Sequence, residues 1–126
     1  MSDIFIDKRL YIGNSTISGA KYGVFSSSFI PNGSKIEVAR ALQVDNRNIF
    51  QKDNILADYV FNYQDGKCLV AFGFGSLYNH NNNPQVSYTV SEDKVYYHTI
   101  KDIYPNDEVF ISYGYNWWGS RGQKAL

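Results

Sequence analysis

Residues Ala71–Pro84 read AFGFGSLYNHNNNP. Two closely spaced glycines run into Leu77 and Tyr78, and a polar block follows, Asn79-His80-Asn81-Asn82-Asn83, closed by Pro84. The apolar residues stop abruptly where side chains carrying both donors and acceptors begin. Asn79 and His80 directly follow an apolar anchor, which predicts that they sit at a buried rim rather than in a waving loop. A rim of that kind must satisfy its polar groups, either internally or with a ligand. Read alone, the block is equally an Asn-rich turn, because Asn tolerates left-handed backbone.

Working outward, the partner stretch is Glu108–Trp118, EVFISYGYNWW, where a β-type run ends in Tyr113-Gly114-Tyr115 and a tryptophan pair. On the other side, Gly19-Ala20-Lys21-Tyr22-Gly23-Val24-Phe25 turns into a strand that runs toward Ile30. Between these landmarks the chain reads as short strands and frequent turns. Ile4–Ile6 and Leu10–Ile12 form an opening strand pair, Pro31-Asn32-Gly33 a turn, and Lys35–Val44 a strand. Asp45–Asn54 is a polar loop or short helix, and the period of Ile55–Tyr63 fits helix or strand. Asp65-Gly66 makes a hairpin turn before Cys68–Phe72. Gln85–Val90 alternates, with Val86, Tyr88 and Val90 on one face, and Lys94–Ile100 returns. Pro105-Asn106-Asp107 turns the chain again before Val109–Tyr113. No helix of ordinary length, repeat or low-complexity linker interrupts this pattern, so the fold class is mostly β, built of small curled sheets.

The totals narrow the functional classes. At 126 residues the chain, 1–126, is one domain large enough for its own core. Twelve basic residues cancel twelve acidic ones, so no net field favours nucleic acid or an anionic membrane. The single cysteine, Cys68, cannot form an intramolecular disulfide or a cysteine-cluster zinc site, and it reads as a small buried apolar residue. No apolar run approaches a membrane span and Met1–Arg9 lacks a signal-peptide pattern, which predicts a soluble intracellular protein. Eleven Tyr, eight Phe and two Trp suit strands and would also line a groove or channel.

The motifs Tyr22-Gly23-Val24-Phe25, Asn79-His80 with Pro84-Gln85, and Asn106–Gly114 stand in the order of three signature elements of the SET-domain lysine methyltransferases. The chain resembles that family over roughly Ile17–Trp118, and is most similar to the minimal members encoded by large DNA viruses and some bacteria. The resemblance implies the SET fold, a β-clip-like arrangement whose C-terminal segment threads under the Asn79–His80 loop as a pseudoknot. It also implies methyl transfer from S-adenosylmethionine to a lysine of a protein or peptide partner, a histone tail being the familiar target. No metal is needed. By the same resemblance Tyr113 is the catalytic tyrosine, and Tyr88, Tyr115 and Tyr59 line the lysine channel. Lys21, Tyr22, Gly23, Asn79 and His80 hold the cofactor, and Trp118 packs on its adenine. A homodimer is implied as well, while the balanced charge and the lack of a spanning apolar run predict no nucleic acid or membrane as partner.

Such chemistry suits these residue types. A free lysine has a pKa near 10.4, and an aromatic channel desolvates the ammonium and favours the neutral nucleophile. Tyrosine faces attract the cation and its methylated products. Three departures from the family pattern stand out: Lys21 replaces a glycine, Asn81 a serine and Gln85 an asparagine. Two other readings remain open from the residues. One is a SET-like peptide-binding module without turnover; the other is a structural or sugar-binding β domain with exposed Trp and Tyr.

Overall fold

The structure, a computed structural model, describes residues 4–45, 60–62, 67–91 and 93–112. Ten strands occur among them: β1 (Phe5–Ile6), β2 (Leu10–Asn14), β3 (Tyr22–Ser26), β4 (Lys35–Asp45), β5 (Val60–Asn62), β6 (Lys67–Ala71), β7 (Asn79–His80), β8 (Val86–Ser91), β9 (Lys94–Thr99) and β10 (Glu108–Ile111). They form two sheets. One has the order β5-β6-β4-β9-β8 with β1 also on β4; the other has the order β2-β3-β10-β7.

The long strand β4 organises the first sheet by serving different partners along its length. Its first half takes β1 on one edge and β9 on the other, and its second half, Ala41–Asp45, takes β6. Ile36, Glu37, Val38 and Ala39 are all buried, so this stretch is covered on both faces. β9 shows the other pattern: Val95, Tyr97 and Thr99 are buried while the residues between them are not, the period-2 signature of a half-covered strand. In the second sheet β3 is central between β2 and β10, and Gly23 through Ser26 are all buried. The core joins the two sheets through Val24, Ile36, Leu69, Tyr78, Val86, Val95, Tyr97, Val109 and Ile111.

Several expected elements are present with the expected bounds to within a residue or two, including β4, β6, β8 and β9. The opening strands differ in their pairing. β1 joins β4 and β2 joins β3, so the two do not form a hairpin. Asp7 explains the separation: its amide donates to Ile36 O and its carbonyl accepts from Leu10 N at 3.0 Å, and this turn passes the chain from one sheet to the other. β3 also stops at Ser26, whose hydroxyl donates to Ser28 O at 2.6 Å; Ile30 meets Ile103 in an isolated bridge. The loop or helix expected at Asp45–Asn54, apart from Asp45 itself, and the Asp65-Gly66 turn lie outside the described residues. Of Ile55–Tyr63 only Val60–Asn62 is described, as strand β5. Cys68 is buried. Among the described residues no helix is long and apolar enough to cross a membrane.

Candidate functional site

Two sequence motifs meet in the second sheet. Asn79 and His80 form β7, which lies parallel to β10 with Phe110 opposite Asn79 and Ile111 opposite His80. Asn81 N donates to Ile111 O at 3.0 Å and continues the pairing. Parallel neighbours this short need support from side chains. Gln85 supplies it: its Nε2 donates to Glu108 O and its Oε1 accepts from Phe110 N, both at 2.9 Å. One side-chain amide thus serves β10 as a further strand would.

Beside this junction lies a buried carboxylate. Glu108 is only 5% exposed, and its oxygens accept from Thr16 N at 2.7 Å, Thr16 Oγ1 at 2.6 Å, Ser15 Oγ at 2.8 Å and Asn79 Nδ2 at 2.9 Å. Donors from β2's end and from β7 compensate a charge that burial would otherwise disfavour. The bare Cα of Gly23 makes the room. A Cβ there would collide with Glu108 Oε2 and fall 3.3 Å from Asn79 Nδ2, so only glycine fits.

The Asn79 amide is turned by these contacts. Its Nδ2 donates toward Tyr22 O at 2.7 Å, Glu108 Oε2 at 2.9 Å and Ser15 Oγ at 3.0 Å. A carbonyl and a carboxylate can only accept, so the nitrogen faces inward and Oδ1 is the atom left to receive a donor. His80 is buried at the next position, with Nε2 2.7 Å from Asn82 Oδ1. Asn83 N donates to Asn81 Oδ1 at 2.8 Å, an Asx turn that shapes the polar block.

The glycine-rich segment before this block is fastened from below. Glu37, fully buried on β4, accepts from Tyr78 Oη at 2.7 Å and Phe74 N at 2.9 Å. Tyr97 Oη donates to Gly75 O at 2.9 Å. Gly73 has φ +71°, and a Cβ on it would lie 2.6 Å from Glu37 Oε2. Burial pushes the Glu37 carboxyl up to about 7, against the lowering pull of its bonds to Tyr78 and Phe74. Burial also raises Tyr78, with the neighbouring Glu37 adding to the effect. The Tyr78 and Tyr97 rings stack at 4.8 Å, and Tyr88 meets Tyr97 at 6.3 Å in a tilted contact.

Of the residues singled out in the sequence, Tyr22, Gly23, Asn79 and His80 converge at the β3–β10–β7 junction. Lys21 is exposed beside them, its Nζ 5.7 Å from the centre of the Tyr22 ring. Tyr88 stands in the other sheet on β8, partly buried, with its hydroxyl pKa raised by desolvation. Tyr59, Tyr113, Tyr115 and Trp118 lie outside the described residues. The residues that sequence reasoning missed are Ser15, Thr16, Glu37 and the individual role of Glu108. The available signal was Asp107-Glu108 standing directly before an apolar strand, since a carboxylate at that position must be either solvated or matched by donors.

The model of the SET domain family matches residues 21–114. A Schizosaccharomyces pombe histone-lysine N-methyltransferase, H3 lysine-37 specific, is 32% identical over 100 residues, covering 76% of this chain and 68% of that protein. A solved Plasmodium falciparum protein whose name assigns it to the histone methyltransferases superposes with TM-score 0.69 at 30% identity, covering 90% of this chain and 99% of the other. Chaetomium thermophilum Polycomb Repressive Complex 2, solved with S-adenosylmethionine, matches in fold with TM-score 0.70 at 19% identity, over 86% of this chain and 15% of that one. The chain belongs to the SET domain family, the S-adenosylmethionine-dependent protein-lysine methyltransferases.

Proposed function

We propose that the chain methylates lysine on a histone-type protein substrate, with Tyr113 as the catalytic tyrosine and the β3–β10–β7 junction as the cofactor site. The observation that carries the reading is the register of β7 on β10, Phe110 opposite Asn79 and Ile111 opposite His80. It brings the Asn-His motif against the strand that leads, two residues past Ile111, to Tyr113. The histone class rests on the relatives, both named for histone methylation.

The residues present fit the cofactor. Its amino-acid part carries an ammonium, and Asn79 Oδ1 is an acceptor left over after Nδ2 is committed inward. The backbone of Tyr22–Gly23 lies beside it, because Tyr22 O itself holds the Asn79 amide. When bound, S-adenosylmethionine supplies a methyl group activated by a sulfonium. The chain's own part is alignment, worth up to several kcal/mol as effective concentration. Tyr113 would set its hydroxyl beside the transferring methyl, with Tyr88, Tyr115 and Tyr59 as aromatic walls that lower the proton affinity of the acceptor amine, and Trp118 would cover the adenine. The parallel β7–β10 pair supports a C-terminal segment passing beside the Asn79–His80 loop as a pseudoknot. Kinship with minimal viral and bacterial members, a homodimer, an intracellular place of action and the absence of a nucleic-acid partner belong to the same reading.

The test is a panel of histone-tail and unrelated lysine peptides incubated with the chain and S-adenosylmethionine, read by mass spectrometry. Methylation of histone peptides above the unrelated set is expected. Equal labelling of both sets would reject the histone assignment, and binding without any transfer would favour a peptide-binding module.

A further inference from the structure

We propose that Glu108 is a positioning residue of the cofactor site: its buried carboxylate fixes the Asn79 amide with nitrogen inward, so that the amide oxygen is presented to the cofactor's ammonium. The inference rests on the assignment of Asn79 to the cofactor given above, and adds the group that makes Asn79 an acceptor rather than a donor.

An asparagine amide is nearly symmetric in shape, and only its surroundings decide which end points where. Here three oxygens, Tyr22 O, Glu108 Oε2 and Ser15 Oγ, lie within 2.7–3.0 Å of Nδ2. Turning the amide over would set Oδ1 against the Tyr22 carbonyl and the Glu108 carboxylate, two acceptors without a proton between them. Ser15 cannot offset this with a donated proton, because its hydroxyl faces both Glu108 oxygens, at 2.8 and 3.1 Å. Glu108 in turn is held by Thr16 N and Thr16 Oγ1 at 2.7 and 2.6 Å, and among the described residues none of its hydrogen-bond partners is a cation. Gly23 completes the device, since any side chain there would push the carboxylate away from Asn79.

The test compares two probes that share adenosine and thioether, S-adenosylhomocysteine and methylthioadenosine, of which only the first carries the amino-acid part. The wild-type chain should bind S-adenosylhomocysteine the more tightly by calorimetry. Glu108→Gln keeps the shape and offers an amide N–H toward Asn79, so the forced orientation is lost. Affinity for S-adenosylhomocysteine should fall about tenfold or more, the worth of a hydrogen bond to a charged group, while affinity for methylthioadenosine holds. Thr16→Val, which withdraws one donor from the carboxylate, should give a smaller loss with the same selectivity. A merely structural role would lower both affinities together, so parallel losses or no loss in Glu108→Gln overturn the proposal. If Glu108→Gln fails to fold, a Thr16→Val chain that binds both probes as the wild type does, or loses affinity for both alike, overturns it equally. A wild-type chain that binds neither probe, or both alike, would instead overturn the assignment of Asn79 on which the inference rests.

Discussion

Asn79 was legible as a residue in need of partners because the polar block begins where the apolar anchor ends, and a polar side chain at such a boundary must find one. Its neighbour Glu108 was legible only as part of a motif. In a sequence a carboxylate looks like a solvated charge, and its burial depends on Ser15 and Thr16, more than ninety residues back in the chain. Gly23 was expected among the residues that hold the cofactor; the group packed against its bare Cα is the Glu108 carboxylate. At the same scale, the tyrosines separate by role. Tyr88 is partly buried against Tyr97, and desolvation holds its phenol protonated. Tyr88→Phe removes a hydroxyl that would limit room around the lysine amine, so the degree of methylation should rise with the first transfer nearly intact. On its proposed role beside the transferring methyl, Tyr113→Phe should lower kcat by tenfold or more, since a transition-state contact acts on turnover directly. Mass spectra of one peptide methylated by each variant check both outcomes.

Strands were legible where alternation declared them, as in Val86–Ser91, and Lys35–Asp45 read as a strand of mixed pattern. Partners were not, because pairing between distant strands is set by the whole fold: β1 and β2 are close in sequence and separate into different sheets. The glycines of the Ala71–Tyr78 segment were conspicuous, yet their reason lies beneath them in Glu37 and Tyr97. Gly73→Ala combines positive φ with a contact of 2.6 Å to Glu37 Oε2. Left-handed backbone alone costs a non-glycine residue about 1–2 kcal/mol, so the denaturation midpoint should fall by at least that equivalent. Gln85→Ala deletes both hydrogen bonds that clamp β10. Each is worth roughly 0.5–1.5 kcal/mol, so stability should drop by about 1–3 kcal/mol in urea titration. A midpoint shift near zero would mean that β10 is held by β3 and β7 alone.

Across the whole molecule, burying a carboxylate on β4 ties stability to pH. The Glu37 carboxyl moves from 4.5 to about 7 on folding, so the folded state holds a proton that the unfolded chain releases earlier. This contribution is complete below pH 4.5 and is lost as pH rises toward 7. At about 1.4 kcal/mol per pKa unit the loss amounts to about 3 kcal/mol, and Glu37→Gln should flatten that slope in melts taken across the window. Asp7 acts with the opposite sign: the hydrogen bond from Arg9 lowers its pKa from 3.8, so its contribution is lost only in stronger acid. The same fold that buries Glu37 beneath the glycine segment sets Asn79 against β10, and the account stands on that junction being a methyl-transfer site. The direct measurement supplies the chain with S-adenosylmethionine labelled in its methyl group and a lysine-containing histone peptide, beside the same peptide with every lysine replaced by arginine. Label is expected on the lysine peptide alone, strongly reduced in Tyr113→Phe. Label that appears equally on the arginine peptide, or undiminished transfer by Tyr113→Phe, would contradict it.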